Sequence, residues 1–237
     1  MASSEPERGH AGAAAEAKRL LRLSRTAALA TLIPGSGAPL TTAVGCASDF
    51  DGAPLFLFSS LAQHTRNLAA DPRASVLLAS QPDRGDPLNH PRISLGGPIL
   101  PHSHAQARLR YLQRNPKAKL YAPFQDFAIF RMRVETVHYN GGFGRADALA
   151  PADILAPDGD ASALIEAEDT LLAEINARDV LAPTNDVSGR AWRAIGLDAE
   201  GLDLSAGAAT ARLDFETPAF DPHNWRLSLE KALARGR

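Results

Sequence analysis

Ser59-Ser60-Leu61-Ala62-Gln63-His64-Thr65-Arg66-Asn67-Leu68 is the stretch on which the reading of this chain turns. It directly follows an apolar strand-like run at residues 55–58. Ser60 and Gln63 stand at capping-box spacing, which predicts a helix over residues 60–70 with Ser60 as its N-cap. A helix start offers unpaired N–H groups and the positive end of the helix dipole, a setting that suits a phosphate. Ser59, Ser60 and Thr65 add hydroxyl donors, and His64 and Arg66 can add positive charge. The same residues also suit a plain capped helix facing water. Local chemistry leaves both readings open.

Upstream, residues 11–24 read as a helix with Ala14, Ala17, Leu20 and Leu21 near one face. Residues 26–33, 40–47 and 55–58 read as strands. The breaks between them are Pro34-Gly35-Ser36-Gly37 and Asp51-Gly52. Three strands joined by short turns make a meander, which argues for antiparallel structure. Downstream, a strand is expected at 74–79 and an exposed proline-rich loop at 81–91. A strand at 93–100 follows, in which Gly96-Gly97 suggests a bulge or a close backbone approach. A helix at 103–114 and strands at 127–132 and 134–139 complete the region. The texture then changes. Residues 149–163 read as a linker, followed by a helix at 164–175, short strands at 191–197, 202–204 and 211–215, and a helix at 222–235. The expected organisation is an N-terminal helix and β-barrel at 1–148, a linker at 149–163 and a small α+β domain at 164–237. The class is mainly β with helices (α+β).

The chain has 237 residues, 45% hydrophobic and 22% charged, with a formal net charge of −2. A core of useful size needs no disulfide or structural metal. The charge balance gives no reason to expect nucleic acid or an anionic membrane as partner. The single cysteine, Cys46, rules out an internal disulfide and suits a reducing compartment. It reads as a small buried residue of an apolar stretch rather than a catalytic thiol. Lys18, Arg19, Arg22 and Arg25 break any signal-peptide core, and no apolar run is long enough to span a bilayer. A cytoplasmic protein is expected.

The ordered series Thr41-Thr42-Ala43-Val44-Gly45, Leu57-Phe58-Ser59-Ser60-Leu61-Ala62, His64-Thr65-x-Asn67-Leu68, Asp71-Pro72-Arg73-Ala74-Ser75-Val76 and Pro91-Arg92-Ile93-Ser94-Leu95-x-Gly97 resembles the FMN-binding split-barrel superfamily. That is the group related to pyridoxamine 5′-phosphate oxidase. The Ser-x-Leu-Ala-x-His-Thr-x-Asn form looks like its HugZ-like branch, which includes flavin-binding members and haem-degrading enzymes. The stretch from Trp192 to Leu204, with Ala211-Arg212-Leu213-Asp214-Phe215, is similar to that branch's small C-terminal domain. The resemblance implies an FMN-binding split β-barrel and a homodimer with FMN at the subunit interface. Thr41 and Thr42 would border the isoalloxazine and ribityl chain. Ser59, Ser60, His64, Thr65 and Asn67 would surround the phosphate or its approach, and Arg92 would reach the same groove. An FMN-dependent oxidoreductase of unknown substrate is the reading this implies. The alternatives are a haem-binding or haem-degrading protein and a non-catalytic binding module. No catalytic residue is identified. The branch's Asn-x-Asp-His segment reads Asn176-Ala177-Arg178-Asp179 here, without histidine, and His64-Thr65 replaces a stronger cationic clamp.

Haem needs an axial ligand, most often His. His223 is the candidate, against its reading as a surface histidine at a helix start. His102-x-His104 does not share a helix face and reads as solvated, so no metal site is expected. Gly141-Gly142-Phe143-Gly144 lacks the strand, glycine loop and helix of a nucleotide motif and reads as a turn. Asp83, Asp86 and His90 sit in the proline-rich loop.

Overall fold

Strand β6 (Arg92–Pro101) is long enough to serve two limbs of one sheet in the computed structural model. Arg92 to Gly96 pair with β8 (Thr136–Asn140), and Ile99 to Pro101 pair with β7 (Phe127–Met132). Between the two sets lies Gly97, at φ +151°, where a Cβ would stand 2.0 Å from the carbonyl oxygen of Arg133. Only glycine fits there, so the close approach expected at Gly96-Gly97 is what bends the strand. The structure describes residues 4–80, 85–142, 145–157, 159–178 and 190–235. The chain divides into two compact units, Met1–Leu155 and Ala156–Arg237.

The first unit is the barrel. One limb runs β2 (Pro39–Gly45), β1 (Thr26–Leu32), β5 (Arg73–Ala79), β6, β8 and β9 (Ala146–Leu149). The other runs β6, β7, β4 (Pro54–Ser59) and β3 (Ala47–Ser48). All pairings are antiparallel. A sheet curled this way, with helices packed on it, is a split barrel, as the sequence leads one to expect.

Side chains alternate across each strand. Leu29, Val76, Leu78, Ile93, Leu95, Val137 and Tyr139 point inward and are buried. Helix α1 (Ser4–Leu23) begins earlier than residue 11, and it joins that core through Ala13, Ala17 and Leu21, spaced four apart on one face. Full burial of a side chain such as Leu21 contributes about 2 kcal/mol. Helix α3 (Ala105–Arg114) covers the other limb, with Ala107 and Tyr111 against Leu55, Leu57 and Ile129. The short helix α4 (Pro151–Ile154) sets Ile154 into the barrel core. Cys46 is buried, its thiol 3.5 Å from the Ser24 carbonyl oxygen. Burial pushes its pKa up to about 12.

The second unit packs α5 (Ser162–Asn176) and α6 (Pro222–Arg235) with an antiparallel sheet of β10 (Arg193–Asp198), β11 (Gly201–Ala206) and β12 (Ala209–Asp214). The Asn176 side chain holds the β10 backbone from both sides, donating to the Ala194 carbonyl at 3.0 Å and accepting from its N–H at 2.8 Å. That is the work of the asparagine in the Asn176-Ala177-Arg178 stretch. Asp179 lies outside the described residues. Arg212 sits at the centre of this unit with Asp198, Asp203 and Asp214 around it. The Trp225 indole N–H donates to the Asp198 carbonyl at 2.8 Å.

Candidate functional site

Helix α2 (Gln63–Ala70) starts three residues later than the capping-box spacing predicts. Its N-cap is Ala62, with no side-chain cap. The reason is strand pairing. Ser59 still pairs with Phe127 on β7, and the Ser60 N–H donates to the Asp126 carbonyl at 2.8 Å. Ser60 and Leu61 then turn, with the Ala62 N–H donating to the Ser59 carbonyl at 3.1 Å, and the helix begins only after that turn. Ser60 is exposed.

The hydroxyl of Ser59 donates to the Asp126 carboxylate at 2.5 Å and accepts from the Leu61 N–H at 3.1 Å. Asn67 is fully buried. Its amide donates to the Thr31 hydroxyl at 2.9 Å and accepts from the Gln63 amide at 2.9 Å. Thr65 is buried too, and its hydroxyl has no hydrogen-bond partner among the described residues. His64 is half-buried, its ring 4.5 Å from that of Phe58 and its Nδ1 3.4 Å from the Thr42 hydroxyl. Burial holds its pKa below the usual histidine value, so the ring is neutral at pH 7. Arg66 is exposed and donates to the Gln63 side chain at 3.0 Å. The structure thus brings Thr42, His64, Ser59, Thr65 and Asn67 to one end of the barrel. What it places beside the helix start is a carboxylate, and the charge-neutral His64 does not offset it.

Thr41 and Arg92 lie elsewhere. Thr41 follows the alternation of β2 to the outer face, opposite to Thr42. Arg92 is on the outer face of β6. Thr41 is level with Ala30, Ser75 and Gly96, and Arg92 is four residues before Gly96. Three strand spacings and four residues separate the two by about 20 Å along the sheet. One chain does not gather all eight expected residues into one groove.

Arg92 lines a different feature, a cleft of about 540 Å³ on the outer face of the first limb. Two neighbouring cross-strand rows build it. One is Leu77, Ser94, His138 and Ala148, and the other contains Arg92, Asn140 and Ala146. His138 stands between the buried Val137 and Tyr139, so alternation turns it outward. Arg92 is diagonal to it across β6 and β8, about 7 Å away between backbones. A terminal nitrogen of Arg92 donates to the Leu88 carbonyl at 2.9 Å and lies 3.4 Å from that of His90. The cleft offers an imidazole and a guanidinium beside the apolar Leu77, Ala146 and Ala148, with Ser94, Asn140 and Asp147 as further polar lining, and its volume falls in the range of small-molecule sites. The sequence signal for it is a histidine at an outward position of a strand whose alternate residues, Val137 and Tyr139, are buried.

His223 is exposed in the first turn of α6, and its N–H bonds to the Asp221 side chain at 3.0 Å. The rings of His102 and His104 stack at 6.1 Å, and His102 lies 3.8 Å from Asp49. Among the described residues no group of three or more metal-ligating side chains is found. Asp86 caps the Leu88 N–H at 2.9 Å, while Asp83, Phe143 and Gly144 lie outside the described residues. No helix among the described residues is long and apolar enough to cross a membrane.

The family described as CREG, beta-barrel, matches residues 8–155. A chloroplastic heme oxygenase of Arabidopsis thaliana, HOZ, is 34% identical over 148 residues, which are 56% of this chain and 45% of that protein. The chain thus spans less than half the length of that curated relative. The crystal structure of a protein of unknown function from Agrobacterium tumefaciens is 35% identical, covers 94% of both chains and superposes with a TM-score of 0.81. A heme-binding protein from Mycobacterium smegmatis is 28% identical, with 94% of this chain and 97% of the other covered and a TM-score of 0.57.

Proposed function

The chain belongs to the CREG, beta-barrel family, and from that premise we propose that it is a haem-binding protein whose porphyrin lies in the outer cleft of the barrel. The observation that carries this reading is the placing of His138 diagonal to Arg92 on the outer sheet face, beside Leu77, Ala146 and Ala148. Imidazole is the commonest axial ligand of haem iron. A guanidinium is the side chain best shaped for a carboxylate such as a haem propionate. Leu77, Ala146 and Ala148 supply a low wall against which a flat macrocycle can lie. The residues present fit the group. The heme-named relatives from Arabidopsis thaliana and Mycobacterium smegmatis support the same reading.

Bound haem supplies a redox-active iron, and the protein's part is ligation, orientation and shielding. His138 would ligate the iron. Arg92, held by the Leu88 carbonyl, would orient a propionate. Haem degradation, as an oxidoreductase activity, is the finer form of this proposal.

The flavin reading drawn from the resemblance is not carried forward, because the start of α2 presents the Asp126 carboxylate where the FMN phosphate was expected. Two other expectations stay attached to the haem proposal: that the protein works as a homodimer, and that the second unit is the small domain of the HugZ-like branch. Size-exclusion chromatography with light scattering tests the first.

The decisive experiment is titration with haemin. The wild-type chain is expected to give a sharp Soret band. His138→Ala should lose that band, His223→Ala should keep it, and Arg92→Ala should weaken binding about tenfold. A wild type that leaves the haemin spectrum unshifted overturns the proposal and favours a non-haem binding module. A band unchanged in His138→Ala but lost in His223→Ala moves the ligand to α6.

A further inference from the structure

We infer that Asp126 is a specificity-determining residue that excludes phosphate-bearing ligands from the start of α2. The inference is independent of the haem proposal, whose cleft is built from other strands. Three observations carry it. The Asp126 carboxylate accepts the Ser59 hydroxyl proton at 2.5 Å, so the donor best placed to meet a phosphate is already turned to an anion. The same residue's carbonyl takes the Ser60 N–H at 2.8 Å, and the Ser59 oxygen takes the Leu61 N–H at 3.1 Å. Two backbone N–H groups that lead into α2 are thereby used, and they fix the carboxylate to the strand end. The side chains that might offset its charge do not. His64 is held neutral by burial, and Arg66 is exposed and donates to Gln63.

A phosphate monoester brought to this position would set its negative charge beside that of Asp126 in a partly buried site, where repulsion is screened less than in water. Its usual compensation, free N–H groups, is left to the first turn of α2 alone, because the N–H groups of Ser60 and Leu61 that lead up to it are already engaged. The ligand classes left to this end of the barrel are neutral or cationic. Thr65, with its buried hydroxyl, is the polar group such a ligand would meet.

The test compares FMN with riboflavin, which carries the same ring system and ribityl chain without phosphate. Binding to the full chain is followed by quenching of flavin fluorescence and by calorimetry. Wild-type protein is expected to bind FMN no better than riboflavin. Asp126→Asn keeps the shape and an acceptor for Ser59 while removing the charge, and it should tighten FMN about tenfold or more relative to riboflavin. Ser59→Ala, which leaves the carboxylate, should not shift that ratio towards FMN. Thermal melts of each variant separate these effects from loss of folding, and Asp126→Ser serves if the asparagine variant melts early. Micromolar FMN binding by the wild type in preference to riboflavin overturns the inference. So does an FMN-to-riboflavin ratio that neither Asp126 substitution changes.

Discussion

The guanidinium of Arg212 meets the Asp198 carboxylate at 2.6 Å with the two side chains 2% and 0% exposed. Asp203, equally buried, accepts a second N–H at 2.8 Å. Burial works against the charge of Arg212, and the two carboxylates more than offset it, so its pKa stands well above the usual value. Removing the cation leaves two carboxylates in an apolar interior without their partner. Arg212→Ala is therefore expected to destabilise the second unit by about 3–5 kcal/mol, read by urea denaturation followed through Trp225 fluorescence. Arg212→Lys should recover only part of the loss, because an ammonium cannot present the planar fork that reaches several carboxylates. A loss below about 1 kcal/mol for the alanine variant, in the range of an exposed pair, would contradict this account.

His10 ties α1 to β9 and α4, with Nδ1 2.9 Å from Asp147 and Nε2 3.4 Å from Asp153. The hydrogen bond to Asp147 is the main reason its pKa lies above 6.5. A raised folded-state value means that this contact's stabilisation is complete below the unfolded pKa of 6.5 and is lost as pH rises through the folded pKa. NMR titration of the His10 ring should give a value above 6.5, and Asp147→Asn should bring it back towards 6.5. A native ring that titrates at or below 6.5 would refute the tie.

Cys46 is predicted to be inert. Its thiol is buried and its pKa is pushed up to about 12, so almost no thiolate exists at pH 8. Ellman's reagent should leave it unmodified in native protein and titrate one thiol after denaturation. Stoichiometric labelling of the native chain within minutes would show the thiol to be accessible.

Gly97→Ala should lower stability by about 2–3 kcal/mol, because the added Cβ meets the Arg133 carbonyl and the φ of +151° is one that alanine rarely adopts. Gly35→Ala is the control. It too has a positive φ, but the space around it is open, so it should cost less. Equal melting temperatures for the two variants would count against the close approach at Gly97.

Most strands were legible because hydrophobic alternation and turn residues agree locally. β7 lies at the expected residues, β1 and β5 differ from expectation by one residue at one end, and β4 by one residue at each end. What was not legible came from pairings distant in sequence. Ser60 has the composition of a cap, yet its N–H is taken by the Asp126 carbonyl at the end of the β4–β7 pairing, and it lies in the turn before the helix. The same distance hides the acidic character of the α2 start, since Asp126 is far from Ser59 along the chain. β9 is short and has two exposed alanines, so no periodic signal marks it. Without β9 the outer cleft has no second wall, and His138 passes as one more strand residue.

The shared strand β6 also bears on how fast the barrel can form. Its partners β5 and β8 lie on either side in sequence, and the limb it closes joins Leu55 to Arg131. Contacts so remote along the chain raise contact order and slow folding. The hairpins that join β10, β11 and β12 are local, so in refolding the second unit is expected to acquire its structure while the barrel is still closing around β6.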